Sequence, residues 1–503
     1  MQYQAERERP GRIQSLMEAV AQSVCRTYIR QLALTVVMLA VCASCSKQES
    51  VAIVEQSSPK SNLVLIVADT LRADRIDFRR NGKPLMPHLA RFAGQSWDFR
   101  KCRVQATWTK PSMATLFTSL YPEVHRVLYG VDGDIDLRDL PKTDVLPELF
   151  ETFAEFMKSN GYRTMGLQTN ANITQHFGFG QGFDRYEYLK YPKHHGDAVT
   201  DRALEWLDEL SPPYLLYVHY MDAHAPYNPP EEFVDPDAAL PTLTEEDKAI
   251  IDNYGDGYRD RIMFEVGITK KRVFGNLSKA GEEYIRVKYD SSVRFVDAEI
   301  GRLIDRILER DPNTIIVVTS DHGEELWEHG SIGHAKTVYE ELTRVPLIVR
   351  VPGTQPRTID APVELIDVLP TCASLLGLKP NPDWQGHNLN TDPGRLPVDR
   401  PTFSSATMSI TGSNRDLDAV VIGNRKLVVD NIAQTRTIYD LDTNPTESIG
   451  VPASEYEGAG ALDEALSGRV AADRDHPLYQ AVPTTNELTP EQQENIRNIG
   501  YLR

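Results

Sequence analysis

At 503 residues the chain can hold more than one folded unit, since single domains usually run to on the order of 100 to 200 residues. Its 41% hydrophobic and 25% charged content is that of a globular protein and excludes a disordered or fibrous one. Acidic residues outnumber Lys plus Arg by 72 to 54, a net charge of −18, which argues against a nucleic-acid partner and is otherwise ordinary solubility.

The chain opens with Arg26 and Arg30, the apolar stretch Leu32 to Val41, then Cys42-Ala43-Ser44-Cys45 and the polar Ser46-Lys47-Gln48. That is the order of an export signal, and the apolar run is shorter than the roughly 20 residues needed to span a bilayer. Residues 1–45 resemble a bacterial lipoprotein signal, with Cys45 as the lipidated first residue of the mature chain, although Cys42 stands where Leu is usual. A short uncut anchor is the alternative, and Met17 is an alternative start. Either form leaves the protein exported and held to a membrane, facing the periplasm or the cell exterior. Residues 46–61, with Ser57-Ser58-Pro59, read as a linker.

Three apolar, β-branched runs follow: Leu63 to Ala68, Tyr214 to Val218 and Thr314 to Thr319. Each has the pattern of a strand buried on both faces, as in a parallel sheet covered by helices. Helical stretches are expected at Pro87 to Gly94, Asp144 to Ser159, Ala198 to Leu210 and Tyr284 to Leu308, the last with Val287, Val293, Val296, Ile300 and Leu303 along one face. Asp235 to Gly281 is charged, lacks a clean period and reads as an insertion over the active face. Beyond it, Val363 to Leu376 is expected as a helix, Ala419 to Val429 as two strands turning at Gly423-Asn424, and Thr437 to Leu441 as a third. The expected fold is an α/β domain over 62–369, a large parallel-sheet sandwich with helices on both faces, and a smaller C-terminal α+β subdomain over 370–503. Past the N-terminal segment only Cys102 and Cys372 remain, which allows one disulfide at most and suits two buried thiols better.

Each apolar run ends in polar chemistry: Asp69-Thr70, then His219-Tyr220-Met221-Asp222-Ala223-His224, then Asp321-His322-Gly323. In open α/β sheets ligands bind beyond the carboxyl ends of the strands, where distant segments converge. Asp69, Asp321 and His322 supply the anionic oxygens and imidazole that a dication in an ester site needs, although a single Asp there is as readily a helix cap. Thr109 lies just before Pro111, which suits a first helical turn, so its hydroxyl sits where backbone N–H groups and the helix dipole favour an alkoxide and a bound anion. Thr109 is both the nucleophile candidate and a further ligand. His224 and His334 are the acid–base candidates, Lys336 the group that neutralises oxyanion charge, and Lys110, Asp222 and Arg72 the candidate substrate-binding groups. Asp222, His224 and His334 could also build a second metal site.

Together these segments resemble the sulfatase family of the alkaline phosphatase superfamily. The residues that carry the resemblance are Asp69 after its strand, Thr109-Lys-Pro-Ser-Met-Ala-Thr-Leu running on to Tyr121-Pro-Glu-Val-His125, Met221-Asp-Ala-His-Ala-Pro-Tyr227, Ser320-Asp-His-Gly-Glu324, and Gly333-His-Ala-Lys336 with Arg344-Val-Pro-Leu347. It extends from Asn62 through Ile438-Tyr-Asp-Leu441 to Gly500-Tyr501-Leu502. The resemblance implies one bound divalent metal and a covalent intermediate on residue 109. The departures are specific: the family carries Cys or Ser at 109 and Arg at 113, which are read when the nucleophile is oxidised to formylglycine, and Thr109 and Met113 cannot serve that pathway. The second Asp of the family's pair is Thr70, and Gln168-Thr169-Asn170-Ala171 stands where Gly-Lys-Trp-His is usual.

A Thr nucleophile with Asp, Asp and His ligands resembles the phosphodiesterases and phosphoethanolamine or phosphoglycerol transferases of the superfamily. It favours Zn or Mn over Ca as the metal. The expected activity is therefore metal-dependent hydrolysis or transfer of sulfate or phosphate esters on a small molecule, glycan or lipid, with phosphoryl chemistry ahead. The alternatives are a sulfatase without formylglycine and a catalytically silent, glycan- or anion-binding protein on the same fold.

Overall fold

The computed structural model describes residues 60–128, 144–191, 193–234, 240–256, 277–410 and 413–479. The lipoprotein-type signal, Met17, residues 46–59 of the linker and Gly500-Tyr501-Leu502 lie outside the described residues. Among the described residues no helix is long and apolar enough to cross a membrane.

The strand β1, Leu63–Ala68, reads LVLIVA and is buried along its whole length. Such a run has no polar face to offer water, so it is stable only with a strand on each side and helices above and below. It pairs in parallel with β5, Tyr214–Tyr220, and β6, Ile315–Thr319. Outward from these lie β2, Trp97–Arg103, β3, Arg163–Gln168, β4, Arg185–Tyr188, β7, Arg344–Arg350, and β8, Arg357–Glu364, giving the order β8-β2-β7-β6-β1-β5-β3-β4. The sheet is mixed rather than all parallel, because β7 runs antiparallel to both β2 and β6. Its direction follows from the chain path: residues 320–343 form short elements beyond the end of β6 instead of a crossover helix, so the chain re-enters the sheet from the end at which it left.

Alternation along the strands sorts the side chains into two cores. Leu63, Leu65, Val67, Leu215, Tyr217, Ile315 and Val317 face one side with Met113 and Phe117 of helix α2, Thr109–Thr118. Val64, Ile66, Leu216, Val218, Ile316 and Val318 face the other with helices α1, Pro87–Ala93, α4, Gly196–Glu209, and α6, Lys279–Arg310. Of the expected stripe, Val293, Val296, Ile300 and Leu303 lie in that second core, and Val287 is buried outside it. Cys102 and Cys372 are buried free thiols.

Helix α3 is shorter than expected, Phe153–Ser159, because Thr152 and Glu155 close a capping box that starts it there, while the Leu146 N–H donates to Phe177 O at 2.9 Å. The expected helix from Val363 begins only at Val368 as α7, Val368–Leu375, since Val363 and Glu364 pair with Cys102 and Arg103 in the sheet. Part of the insertion is helical, α5, Glu245–Asp256, its last residues open α6, and residues 235–239 and 257–276 lie outside the described residues. A five-stranded antiparallel sheet then follows, made of β9, Thr402–Ile410, β10, Ser413–Ile422, β11, Arg425–Asp430, β12, Thr435–Asp440, and β13, Val451–Pro452. Helix α8, Ala459–Asp475, buries Ala459 and Leu462 against Val420, Leu427 and Ile438 of that sheet.

Phe117 packs edge-on to Tyr217 at 5.1 Å and to Phe179 at 5.9 Å in the first core. Phe117→Ala is expected to cost about 3–5 kcal/mol in chemical denaturation, and a loss below about 1 kcal/mol would contradict this packing.

Candidate active site

Four neighbouring strand ends build the site. Odd-numbered side chains of β1, β5 and β6 share the α2 face, and Asp69, His219 and Asp321 continue that parity at the carboxyl ends. In β3, Leu167 pairs with Val218, which sets Gln168 level with His219. Gln168, His219, Asp69 and Asp321 thus form a row across the sheet edge, each essentially without solvent exposure.

Five atoms in this row are buried without a hydrogen-bond partner: Asp69 Oδ1, Asp321 Oδ2, His219 Nε2 and both amide atoms of Gln168. One ligand atom from each of Asp69, His219 and Asp321 lies within 4.8 Å of the others. His322 Nε2 adds a fourth donor, 3.6 Å from Asp69 Oδ1 and 3.5 Å from Asp321 Oδ2. Both imidazoles present their Nε2 as acceptor. His322 Nδ1 donates to Gly323 O at 2.9 Å, and His219 Nδ1 lies 3.5 Å from the Thr169 hydroxyl oxygen. Burial, with His322 adding to it, pushes His219 down to about 3, so its ring is neutral. Burial and the facing Asp321 hold the Asp69 carboxyl well above the usual carboxylate range, and burial carries Asp321 up to about 7. Orphaned carboxylate oxygens that repel each other beside the lone pair of the neutral His219 ring fit a divalent cation. His219 was missed in the sequence, although its place at the end of a buried strand, in phase with Asp69 and Asp321, marks it.

Thr109 is the first residue of α2, entered from an extended Trp108 that provides no side-chain cap. Its Oγ1 is 3.4 Å from Asp69 Oδ2 and 3.3 Å from His322 Nε2, and it accepts from Asn170 Nδ2 at 3.2 Å. The same Asn170 amide donates to Asp69 Oδ2 at 2.8 Å. Asn170 therefore belongs to the site, where the sequence showed only a departure from the family pattern.

The loop carrying Asp321 is tightly fixed. Thr70, in a left-handed conformation with φ 60°, donates its N–H to Asp321 Oδ1 at 3.3 Å, and Ser112 Oγ donates to Asp321 O at 2.5 Å. A Cβ on Gly323 would lie 1.9 Å from Glu341 O, so only glycine fits there.

The His334 ring lies against two others in tilted contacts, its centroid 4.5 Å from that of His322 and 5.0 Å from that of His224. Its Nδ1 lies 2.9 Å from Glu324 Oε1, and Tyr227 donates to Glu324 Oε2 at 2.9 Å. His224 Nδ1 donates to Ala225 O at 2.6 Å, and burial, then His334, keeps its ring well below the usual histidine range and neutral. Lys336 donates to Ile332 O at 3.3 Å. The remaining three candidates are engaged elsewhere. Arg72 binds Asp74, Glu328 and Glu324 O. The Lys110 ammonium lies over the Phe177 ring, and burial lowers it to about 7. Asp222 accepts from His195 at 2.9 Å. With Asp222 and His334 committed in this way, Asp222, His224 and His334 do not assemble a second metal site, and among the described residues the one such cluster is that of Asp69, His219 and Asp321.

A family model described as Sulfatase matches residues 61–378. The chain belongs to the sulfatase family. Sulfatases and phosphonate monoester hydrolases are among its relatives and structural neighbours, which supports a hydrolase of sulfuric or phosphoric esters. An uncharacterized sulfatase of Escherichia coli K12, YidJ, is 28% identical over 209 residues, and the match covers 38% of each chain. A phosphonate monoester hydrolase from Silicibacter pomeroyi superposes with a TM-score of 0.63 at 21% identity, over 86% of this chain and 98% of that one. A protein solved in complex with its substrate D-glucosamine-2-N,6-O-disulfate superposes with a TM-score of 0.63 at 20% identity, over 84% and 99%.

The sign of the linkage is testable in metal-stripped protein. A carboxyl whose folded pKa is raised holds its proton longer in the native state than in the unfolded chain, so its burial costs stability as pH climbs from about 4 through 7. Asp321→Asn is expected to gain stability relative to metal-stripped wild type as pH rises from 5 to 8, and to bind less metal by elemental analysis. A stability difference that stays flat across this range would refute the assignment.

Proposed function

We propose that this protein is a metal-dependent hydrolase of phosphoric or sulfuric esters with Thr109 as its nucleophile and phosphoryl esters as its preferred substrates. The observation that carries this reading is the position of Thr109 Oγ1 at the start of α2, 3.4 Å from Asp69 and 3.3 Å from His322, beside the orphaned donors of Asp69, Asp321 and His219. A divalent ion held by Asp69, Asp321, His322 and His219 would lower the pKa of the Thr109 hydroxyl and draw charge from the ester oxygens. Two carboxylates with two imidazoles suit Zn or Mn better than Ca.

The Oγ1 atom attacks phosphorus in line, its proton passing toward Asp69 Oδ2, and the bond to the leaving oxygen breaks. The Asn170 amide and the N–H groups opening α2 stabilise the charge that develops on the group being transferred. His334, with its ring oriented by Glu324, gives the leaving oxygen its proton, and the neutral His224 beside it accepts a hydrogen bond. Lys336 offsets equatorial charge. Water then displaces Thr109 Oγ1 by the reverse path and restores the free hydroxyl.

Thr109 favours phosphorus because a phosphothreonine is released by a second displacement, whereas the formylglycine route is closed to a threonine. Sulfate ester hydrolysis by the unmodified threonine is the second reading, supported by family membership and by the neighbour solved with a disulfated sugar. The Arg26-to-Lys47 sequence supports an exported enzyme held at a membrane by a lipid on Cys45.

Metal-reconstituted protein should turn over at least one of p-nitrophenyl phosphate, its bis-ester, p-nitrophenyl phenylphosphonate or p-nitrophenyl sulfate. Thr109→Ala should lower kcat by at least about 10³-fold with KM little changed, and Thr109→Ser should keep measurable turnover. Sulfate turnover alone would move the assignment to the second reading. Thr109→Ala as active as wild type would end the nucleophile assignment.

A further inference from the structure

Gln168 is the one member of the row across the sheet edge that has no part in the proposed reaction. It ends β3, is fully buried, and neither its amide oxygen nor its amide nitrogen has a hydrogen-bond partner. Register sets it level with His219, and parity puts it on the α2 face, where Tyr217 stands opposite Gly166. Two neighbours mark the space in front of it. Two residues further along the same strand end, Asn170 Nδ2 donates to Asp69 Oδ2 at 2.8 Å and to Thr109 Oγ1 at 3.2 Å. On the next strand, His219 Nε2 lies 3.9 Å from the same Asp69 Oδ2. Gln168 is therefore flanked, along its own strand and across to the next, by side chains that both reach the point where Thr109 meets Asp69. The sulfatase pattern has Gly at this position and Lys at the next. Here Gln168 brings a side chain where the pattern has none, and the Thr169 hydroxyl is occupied in donating to His219 O at 3.1 Å.

We propose that Gln168 is a substrate contact: its amide N–H donates to a non-bridging oxygen of the ester group placed against Thr109 Oγ1, making Gln168 and Asn170 a pair of uncharged donors on one strand end. A buried amide without a partner is unfavourable, and an apolar side chain of the same shape would remove that cost. A partner that arrives with the ligand accounts for keeping it. The amide nitrogen needs an oxygen acceptor, which an ester oxyanion offers and a cation does not. Fixed in place by burial, such a donor acts on charge as it builds on the transferred group. The competing occupant is a buried water shared with the Tyr217 hydroxyl, which is also unpartnered on this face. That water would satisfy the amide with no substrate bound, so substitution separates the two.

This inference rests on the ester-hydrolase reading, and binding of inorganic phosphate separates the two. Gln168→Met keeps the shape and removes the donor. In metal-stripped protein it should unfold at the same urea concentration as wild type or higher, because an unpartnered amide has no bond to lose. Zinc affinity, read by chelator competition, should be unchanged. With zinc saturating, inorganic phosphate should bind about tenfold more weakly by calorimetry, and kcat/KM for an aryl ester that wild type turns over should fall about 10- to 100-fold. Gln168→Asn, with its amide one methylene shorter, should retain part of both. Zinc binding lost in parallel with phosphate binding would put Gln168 on the cation, and phosphate binding and kcat/KM both unchanged would leave the amide to water. Either result overturns the proposal, as does a Met variant that fails to fold or an Asn variant no better than Met. Wild type that binds phosphate through Gln168 and turns over no ester fails the hydrolase reading alone.

Discussion

Two carboxylates buried side by side set the terms for the whole molecule. Asp69 and Asp321 leave the ends of adjacent parallel strands on one sheet face, and neither can reach water. Like charges in a poorly solvated place raise each other's pKa and cost stability unless something positive is held between or against them. The surroundings are arranged as partial compensation. Asn170 donates to Asp69, the backbone N–H of Thr70 donates to Asp321, and α2 opens beside both. Thr70 accepts a left-handed backbone to make that bond, an unfavourable conformation for a β-branched residue. Such strain persists only where the neighbouring structure enforces it, and here the Tyr289 hydroxyl donates to Thr70 O at 2.9 Å from α6 on the opposite core.

The consequences reach Thr109 through geometry rather than through its residue type alone. A threonine at the first position of a helix is ordinarily a polar terminus. Here its oxygen shares one donor amide with the carboxylate it faces, so any group that neutralises Asp69 also acts on the hydroxyl. The position usually held by Arg in the family is Met113, which is buried in the first core together with Phe117 and Tyr217. Four residues after Thr109, packing thus stands where the family pattern has a polar side chain.

The three central strands and Asp69, Thr109, Asp321 and His322 were legible because a continuous apolar run that stops abruptly at charged residues is, in a globular chain, a buried strand opening onto a polar site. Other features needed information the local pattern does not hold. The antiparallel course of β7 depends on what fills residues 320–343, not on the composition of Arg344–Arg350. The late start of α3 was written in Thr152-x-x-Glu155, and the helix α5 within the insertion in Thr244 with Asp247, whose side chains and N–H groups bond reciprocally at 3.0 and 3.3 Å. Each of these capping signals rests on two residues, and the longer apolar period around it hides it. His219 and Asn170 escaped for a different reason: each gains its meaning only when strands distant in sequence are set side by side.

The charged residues that do not touch Thr109 explain why the centre can stay so poorly satisfied. Arg72 clamps Asp74, Glu328 and the Glu324 carbonyl, Asp222 holds His195, and Glu324 is shared by Tyr227 and His334. The bonds of Arg72 to Glu328 and Glu324 O, of His195 to Asp222 and of Tyr227 to Glu324 each join one strand-end loop to another, so the loops are fixed to one another outside the donors. Unpartnered Asp69, Asp321 and His219 atoms would otherwise be relieved by a small shift of any loop. With the outer layer closed, no such shift is available, and the inner atoms remain aimed at a common point. That is the physical content of preorganisation: the cost of holding repelling groups together is met by folding, before substrate arrives.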